Sequence, residues 1–314
     1  MAALEPAVST PLLVVGESLV DVVVRPSQDD VHRYVGGSPA NVAMGLARLG
    51  HSVQFATRLG DDPDGALVRT ALESDGVRLA YGWQSRSRTS TATATLDAGG
   101  SASYVFDLVW DLPPLDVSAA EHVHTGSIAA ALGPGAAAVQ VAVSAAHALG
   151  ATTSYDPNLR PQIIGTADAE RPGVEALVAS SDVVKASEED LEWLYGPGST
   201  QRVAAHWATT GPALVVVTRG GEGALAWRGA GSAEPMTVAP QPVQVVDTVG
   251  AGDSFMSGLL SGLADQGVLG RGCRSALDAA GDDVVRAALD RATRTSSITC
   301  GRAGSNPPHR AELG

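Results

Sequence analysis

A glycine-rich stretch directly before a helical pattern carries the clearest chemical signal in the chain. Gly250, Ala251 and Gly252 stand before Asp253, and apolar residues recur every four positions from Phe255 onward. Small residues let the backbone approach a ligand closely, and the free N–H groups of a first helical turn bind anions. A carboxylate beside such N–H groups can accept an alcohol proton while they hold a phosphoryl group. The stretch predicts phosphoryl transfer with Asp253 as base; a capping role for Asp253 is the alternative.

A second glycine pair precedes another helical pattern near the start of the chain. Gly36 and Gly37 allow a ligand close to the backbone, and Asn41 can both donate and accept hydrogen bonds. Asp21 ends an extended segment, where its carboxylate can accept bonds from two adjacent hydroxyls. Arg160 follows a predicted strand, at the edge where open α/β sheets bind ligands. A turn or cap role is the alternative for Asp21, and a structural turn with a surface arginine is the alternative for Arg160.

Two stretches resemble the signatures of the ribokinase-like (PfkB) carbohydrate kinases. Residues 247–255, Asp-Thr-Val-Gly-Ala-Gly-Asp-Ser-Phe, resemble the C-terminal signature, and residues 36–50, which open with Gly-Gly-Ser-Pro-Ala-Asn, resemble the N-terminal one. The resemblance covers about residues 12–308 and is nearest to fructokinase-like members. It implies an α/β fold, ribokinase-like, with a central, mostly parallel sheet flanked by helices and a small β-sheet lid. It also implies ATP as the phosphoryl donor.

The same resemblance implies that Asp21, Gly37 and Asn41 bind the sugar hydroxyls. Tyr104 lies in a predicted lid hairpin, where an aromatic face suits the apolar side of a sugar ring. Packing within the lid is the alternative for that side chain. The predicted substrate site comprises Asp21, Gly36, Gly37, Asn41, Tyr104 and Arg160.

The nucleotide side is predicted from two further motifs. Lys185-Ala-Ser-Glu188 resembles the family's N-x-x-E motif, with Lys185 in place of the usual asparagine. The motif implies Mg²⁺ near Glu188, held through water, and places the Lys185 ammonium on an ATP phosphate. Thr218, Gly220 and Gly223 match a T-x-G-x-x-G turn beneath the nucleotide.

A monovalent cation is also implied, because many relatives hold one by backbone oxygens near the C-terminal signature. Asp247 and Val249 match that site, whereas Pro308 stands where some relatives have a serine ligand. K⁺ therefore joins ATP and Mg²⁺ as a candidate cofactor, and dependence on it is left open.

The elements that must position these residues follow from the hydrophobic pattern. From about residue 120 onward, short apolar runs alternate with Ala-rich helical stretches, which indicates a parallel sheet covered on both faces. Helices are predicted over 254–263 and 276–295. A hairpin with its turn at Gly99-Gly100 is predicted within 86–110. The chain is expected to form one domain over residues 1–314, with lid segments at about 20–35 and 86–110.

Side chains that could ligate a transition metal are few. His122 and His124 are spaced to share one face of a strand, and a structural role is favoured over metal binding. Cys273 and Cys300 form no CxxC pair, so neither a zinc site nor a disulfide framework is expected.

Composition narrows the class of partner. The formal charge of the 314 residues is 21 − 34 = −13, which disfavours nucleic acid and anionic membrane surfaces. No signal peptide and no apolar stretch of membrane-spanning length is visible, which predicts a cytoplasmic protein. Hydrophobic residues make up 44% of the chain, enough for a sizeable core.

The sequence thus predicts an ATP-dependent sugar kinase, with fructose favoured. Ribose, 2-keto-3-deoxygluconate and nucleosides are the alternative substrates. A catalytically silent sugar-binding protein on the same fold is the alternative of another class, and a dinucleotide-dependent oxidoreductase lacks its glycine fingerprint. Lids in this family often pair, so a homodimer is a further expectation.

Overall fold

A computed structural model describes residues 11–25, 30–80, 84–85, 88–96, 102–229 and 234–314. In chain order its strands are β1 (Leu12–Val15), β2 (Leu19–Arg25), β3 (Asp30–Gly36), β4 (Val53–Ala56), β5 (Leu59–Gly60), β6 (Arg78–Leu79), β7 (Gln84–Ser85), β8 (Thr91–Leu96), β9 (Ala102–Asp107), β10 (His122–Gly126), β11 (Thr152–Asp156), β12 (Val183–Ser187), β13 (Leu214–Thr218), β14 (Ala224–Arg228) and β15 (Met236–Val238).

The first helix follows β3, and the last three helices follow the final strand. They are α1 (Ser38–Arg48), α2 (Pro63–Ser74), α3 (Gly135–Ala148), α4 (Ala167–Ala179), α5 (Glu188–Tyr195), α6 (Thr200–Trp207), α7 (Ala251–Asp265), α8 (Arg274–Asp278) and α9 (Asp282–Cys300). Short 3₁₀ turns occur at Ser127–Ala130, Gly220–Glu222 and Arg310–Leu313.

The large sheet runs in the order β15-β14-β13-β12-β11-β10-β1-β4-β6. Its pairings are parallel from β6 through β13, and β14 and β15 add antiparallel strands at one edge. The alternation of strands and helices in the sequence therefore gives the mostly parallel sheet that was predicted. All parallel strands point the same way, so their carboxyl ends share one edge.

Strand β1 shows why the sheet needs helices on both faces. Leu12 and Val14 belong to the hydrophobic cluster on one face, and Leu13 and Val15 belong to the cluster on the other. All four side chains are buried, as expected for a strand covered on both faces. Helices α1, α7 and α9 contribute to the first cluster, and α3 to α6 contribute to the second.

A separate small sheet, ordered β3-β2-β8-β9, forms the predicted lid. It is joined to the body beside α2: Asp62 accepts hydrogen bonds from Thr89 N and Thr89 Oγ1, both at 2.7 Å, and Arg33 is paired with Asp64 at 2.8 Å. Thr89 lies two residues before the lid strand β8. The lid is therefore tied to the start of α2 close to the beginning of one of its strands.

The structure departs from one local prediction, and another falls outside the described residues. The helix predicted over 276–295 is two helices, because α8 ends at Asp278 and α9 begins at Asp282. Gly281 stands in an extended conformation before α9, which a continuous helix does not permit. The predicted turn at Gly99-Gly100 lies outside the described residues, although β8 and β9 pair antiparallel on either side of it. Among the described residues, no helix is both long and apolar enough to span a bilayer.

Candidate active site

The predicted site residues converge at the carboxyl edge of the large sheet. Asp156, Ser187 and Thr218 end three adjacent parallel strands, β11, β12 and β13. The first turns of α1 and α7 meet each other, because the side chains of Ser38 and Asp253 are hydrogen-bonded. Open α/β sheets bind their ligands at this edge, so the geometry agrees with a substrate site.

The carboxylate of Asp253 is held by three neutral side chains. Ser38 Oγ donates to Oδ1 over 2.6 Å, and Asn41 Nδ2 donates to Oδ2 over 2.8 Å. Asn158 Nδ2 donates to Ser38 Oγ over 2.8 Å and lies 3.3 Å from Asp253 Oδ1. Asn41 Oδ1 is buried and has no partner in the described part of the chain. Asn41 therefore orients the carboxylate and keeps an oxygen that can accept a substrate hydroxyl.

The turn before Asp253 leaves backbone donors open. Gly250 has a φ of 74° and precedes α7 in the left-handed region, where glycine is unstrained. Ala251 N donates to Thr248 O, whereas the N–H groups of Gly252 and Asp253 reach no acceptor within the described residues. Such N–H groups, together with the helix dipole, attract anions. An anion can thus be held within reach of the Asp253 carboxylate.

The loop after β11 is anchored to the start of α5. Asp190 Oδ1 accepts from Leu159 N at 2.8 Å, and Asp190 Oδ2 accepts from Ser187 N and Ser187 Oγ. Ser187 in turn accepts from Asp190 N, which completes a capping box. Arg160 Nη1 donates to the backbone and side-chain oxygens of Asn158, at 2.9 and 2.6 Å. These hydrogen bonds therefore fix the loop that carries Asn158, whose side-chain amide contacts the Asp253 carboxylate.

The predicted sugar ligands lie together opposite this loop. A Cβ on Gly36 would collide with Asp21 Oδ2, and a Cβ on Gly37 would lie 2.7 Å from Glu17 O. Burial raises the pKa of Asp21, and the charge of Arg160 opposes that rise. The structure therefore brings Asp21, the glycine pair and Arg160 close to each other.

Tyr104 lies on the lid face that carries Asp21. The ladder pairs Asp21 with Ala92 and Ala92 with Phe106, and Tyr104 stands two residues before Phe106 on the same face. The Tyr104 and Phe106 rings are stacked with centroids 6.0 Å apart, and Tyr104 is 55% exposed. An open aromatic surface thus adjoins the predicted sugar ligand.

Lys185 is paired with Asp156 in the interior. Its Nζ lies 2.8 Å from Asp156 Oδ2, and the two side chains are 3% and 1% exposed. Burial lowers the pKa of Lys185, but nearby carboxylates, Asp156 first, outweigh it and raise the pKa overall. Burial also raises the pKa of Asp156, to about 6. The predicted nucleotide residue Lys185 therefore lies beneath the site's surface.

The remaining nucleotide residues lie at the ends of β12 and β13. Glu188 begins α5 and is half-buried, and Thr218 is in register with Ser187 on the neighbouring strand. Gly220 and Gly223 have φ values of 49° and 85°, and a Cβ on Gly223 would collide with the backbone of the following segment. The two glycines thus form a tight turn beside Glu188.

Asp247 joins the C-terminal signature to the end of the chain. Its Oδ1 accepts from Val249 N at 3.0 Å and its Oδ2 accepts from Gly304 N at 2.9 Å. These two bonds lower the pKa of the Asp247 carboxyl. Each oxygen of the Asp247 carboxylate thus already accepts one backbone hydrogen bond. The backbone carbonyls of Asp247 and Val249 remain the predicted ligands of the monovalent cation.

The sequence analysis did not single out Asp190, Ser38, Asp156 or Asn158, although all four belong to the site. Asp190 was detectable, because Ser187-x-x-Asp190 has the pattern of a capping box. Ser38 was quoted only as part of a signature, and its contact with Asp253 spans 215 positions. Asp156 was not named, and its pairing with Lys185 requires knowing that β11 and β12 are neighbours.

Known proteins with similar sequences and structures support the same interpretation. A family model described as "pfkB family carbohydrate kinase" matches residues 9–311. Fructokinase from Klebsiella pneumoniae is 35% identical over 267 residues, which cover 81% of this chain and 85% of that relative. Fructokinase from Escherichia coli is 35% identical over 272 residues, covering 83% and 86%.

Two solved structures show how far the likeness extends in space. Xylella fastidiosa fructokinase with bound ATP has a TM-score of 0.82 and 25% identity, covering 97% of this chain and 98% of that one. Vibrio cholerae fructokinase with fructose, ADP and calcium has a TM-score of 0.76 and 29% identity, covering 97% and 98%. The mostly parallel sheet with its small lid sheet is therefore the ribokinase-like fold, and the chain belongs to the pfkB family of carbohydrate kinases.

Proposed function

We propose that the protein transfers the terminal phosphoryl group of ATP to a hydroxyl of fructose, with Asp253 as the proton acceptor. One observation carries the proposal: the oriented carboxylate of Asp253 lies beside backbone N–H groups of Gly252 and Asp253 that have no acceptor in the described chain. A carboxylate alone would suit binding. A carboxylate placed against an anion site suits proton removal from an alcohol that attacks a phosphoryl group.

In the proposed reaction, the sugar lies between the lid and the carboxyl edge of the sheet. Asp21, Gly37 and Asn41 bind its hydroxyls, and Arg160 and Tyr104 border it. Asp253 takes the proton of the attacking hydroxyl as the new O–P bond forms and the bond to ADP breaks. The N–H groups of Gly252 and Asp253, at the end of the turn that Gly250 and Ala251 form, stabilise the charge on the transferring phosphoryl group. Lid closure excludes water and so limits hydrolysis of ATP.

The residues present fit a magnesium ion that is carried with the nucleotide. No group of three or more His, Cys, Asp or Glu side chains that could hold a metal occurs in the described residues. Mg²⁺ commonly keeps several waters and binds through one or two carboxylates plus substrate phosphates. When bound, it would neutralise phosphate charge. Glu188 is the carboxylate proposed to face it, and Thr218, Gly220 and Gly223 are proposed to lie beneath the nucleotide.

Fructose is favoured over other sugars by the relatives. Those compared above are called fructokinases, and the Vibrio cholerae structure contains fructose. Ribose, 2-keto-3-deoxygluconate and nucleosides are the alternative substrates for this chain. A K⁺ ion on the backbone oxygens of Asp247 and Val249, a homodimer, and one domain over residues 1–314 belong to the same proposal.

The test is ADP release with Mg-ATP and a panel of fructose, ribose, glucose, 2-keto-3-deoxygluconate and adenosine. Wild type, Asp253→Asn and the matched control Asp290→Asn are compared, each with and without K⁺. Asp290 is exposed on α9, so the same change there leaves the site intact.

We expect fructose to give the highest kcat/KM, and kcat to fall about a thousandfold or more in Asp253→Asn alone, the scale of losing a proton acceptor. A higher kcat/KM with another sugar would change the assigned substrate to that sugar. Sugar binding without turnover on any candidate would favour the silent binding protein. Full activity in Asp253→Asn would remove this residue as the base.

A further inference from the structure

Lys185 is the only lysine in the chain, which has 21 Lys and Arg residues in total. It is also among the most deeply buried charged side chains, at 3% exposure. A sequence that uses arginine at every other basic position and lysine at this one points to a site that arginine does not suit. The reason lies in the shape of the two groups, since a guanidinium is a broad plane and an ammonium is a compact point charge.

The ammonium of Lys185 lies against the first turn of α7. A Cβ built on Gly252 would be 3.0 Å from Lys185 Nζ. On its other side, Nζ donates to Asp156 Oδ2 over 2.8 Å. The ammonium is therefore held between the Asp156 carboxylate and the backbone of the first turn of α7.

The hydrogen bonding of the Asp156–Lys185 pair is incomplete. Asp156 Oδ1 is buried and has no hydrogen-bond partner in the described part of the chain. Carboxylates that serve only to neutralise a buried lysine are stable when their remaining lone pairs are also bonded. The incomplete bonding of Asp156 favours a role in the site over a role in the core.

Several titratable groups act on one another around this turn. They are Asp156 on β11, Lys185 on β12, Asp190 on α5, Asp253 on α7, Arg160 on the loop after β11, and the neutral ring of His124 on β10. Lys185 is the positive charge that interacts with Asp156, Asp190 and Asp253 together. A change of charge at Asp156 or Lys185 therefore alters the electrostatic environment of the Asp253 carboxylate.

We propose that Asp156 and Lys185 are positioning residues for the transfer step: Lys185 holds a fixed positive charge against the Gly250–Asp253 turn from the inside, and Asp156 fixes its place. The ammonium then favours both the ionised base and the negative phosphoryl group on the other side of the turn. This inference rests on the proposed function and gives Lys185 an indirect place in it instead of direct contact with ATP.

A purely structural ion pair is the rival explanation, and the chain offers a matched control for it. Asp182 lies directly before β12 and is paired with Arg274 at 2.7 Å, at the opposite end of the same strand. Its side chain is 4% exposed. Breaking that pair costs stability without placing a charge near Asp253.

The kinetic test compares pH profiles of kcat for Lys185→Met, Asp156→Asn and the control Arg274→Met. Loss of the ammonium disfavours the ionised base, so the acidic limb of Lys185→Met should move to higher pH, by about one unit, and kcat should fall about 10- to 100-fold. Loss of the Asp156 charge should move the limb to lower pH. KM for the sugar should stay within about threefold, because neither side chain contacts it. The control should keep the wild-type profile.

If either single variant fails to fold, the double variant Asp156→Asn/Lys185→Met removes both charges and replaces it. Its acidic limb is expected to lie closer to that of wild type than the limb of the single variant that folds, because the two lost charges have opposite signs. Unmoved limbs, or limbs that move in the same direction in both single variants, would overturn the proposal.

A second measurement separates this inference from the kinase assignment. Because the chain has one lysine, ¹⁵N- and ¹³C-labelled lysine gives a single side-chain ammonium signal by NMR. We expect that signal to shift when Mg-ADP and aluminium fluoride, a phosphoryl mimic, are added to wild type or to Arg274→Met. If Mg-ADP binds but the Lys185 signal does not shift when the mimic is added, the inference is overturned, even if the sugar kinase activity is found. Absence of sugar-dependent turnover in wild type would instead count against the proposed function alone.

Discussion

Strands β10 and β11 carry buried polar residues at both ends, and the two ends differ in how their hydrogen bonds are completed. At the amino end, His122 Nδ1 bonds with Thr152 Oγ1 at 2.9 Å and His122 Nε2 bonds with Ser154 Oγ at 2.8 Å. At the carboxyl end, Asp156 leaves one oxygen without a described partner. The polar side chains at the amino end are hydrogen-bonded to one another. At the carboxyl end, Asp156 keeps an oxygen that can accept a hydrogen bond from a ligand.

The electrostatics of the two ends follow the same division. Burial lowers the pKa of His122 and of His124 to about 3, so both rings are neutral at physiological pH. At the other end, Lys185 stays charged because carboxylates surround it. Burial of polar groups is therefore no sign of function by itself. The informative feature is a buried acceptor that lacks a hydrogen-bond partner, or a charge that is not neutralised, at the end of the strand.

Next to the loss expected for Asp253→Asn, the largest effect is expected at the same carboxyl end, from Gly250→Ala. Alanine is strained at a φ of 74°, and its Cβ would collide with the side chain of Ser305. Displacing this turn by about 1 Å can cost about a hundredfold in rate. We expect kcat to fall by that factor or more, as measured by ADP release at saturating sugar.

Gly76→Ala is the matched control for that change. Gly76 has a φ of 85°, and a Cβ there would meet nothing within 4 Å. It should lose about 1 kcal/mol of stability from backbone strain and keep its kcat. If the two variants lose activity equally, the strain alone is responsible and the turn has no special place in the reaction.

A smaller effect is expected from Ser38→Ala, which removes the 2.6 Å hydrogen bond to Asp253 Oδ1. Hydrogen bonds to charged groups contribute about 1.5–3 kcal/mol, which corresponds to about 10- to 100-fold in rate. The loss should appear in kcat, with KM nearly unchanged. Ser74→Ala on the exposed side of α2 is the control, since its hydroxyl bonds only to its own helix. A drop confined to KM would mean that Ser38 serves the sugar and not the base.

The contrast between the two ends also explains what the sequence could predict. The alternating pattern of strands and helices predicted the mostly parallel sheet, and the two signatures predicted which residues gather at its edge. The contact between Ser38 and Asp253 could not be derived, because it depends on how α1 and α7 pack across 215 positions. The break between α8 and α9 was also missed, because the apolar pattern continues through it and only the backbone at Gly281 interrupts the helix.

At the amino end, His122→Asn should change stability and leave catalysis alone. The variant removes the ring partner of the Thr152 hydroxyl and one of the two ring partners of the Ser154 hydroxyl, which costs about 1–3 kcal/mol for buried polar groups. Urea unfolding measures that loss, and ADP release should give a kcat within about twofold of wild type. His206→Asn, exposed on α6, is the control. A large fall in kcat would show that the amino end is coupled to the site after all.

The smallest effect is a difference in pH dependence, and its sign distinguishes the two ends. The folded-state pKa of His122 is lowered, so its contribution to stability is complete above about pH 6.5 and is lost as pH falls toward 3. His122→Asn lacks that loss, and its deficit relative to wild type should shrink on going from pH 6.5 to 4.5, by at most about 1.4 kcal/mol per pH unit. A deficit that is constant with pH would mean that the ring is not held neutral.

Glu17, just beyond β1 at the carboxyl end, should show the opposite sign. Burial, partly opposed by hydrogen bonds from the 127–129 backbone and side chains, raises its pKa to about 7. Its contribution to stability is therefore complete below about pH 4.5 and is lost as pH rises through 7. Glu17→Gln avoids the cost of burying the ionised carboxylate, so the variant should gain stability relative to wild type between pH 5 and 8 in urea unfolding. If both variants moved in the same direction with pH, the division between a closed amino end and an open, charge-bearing carboxyl end would fail as an electrostatic description of this sheet.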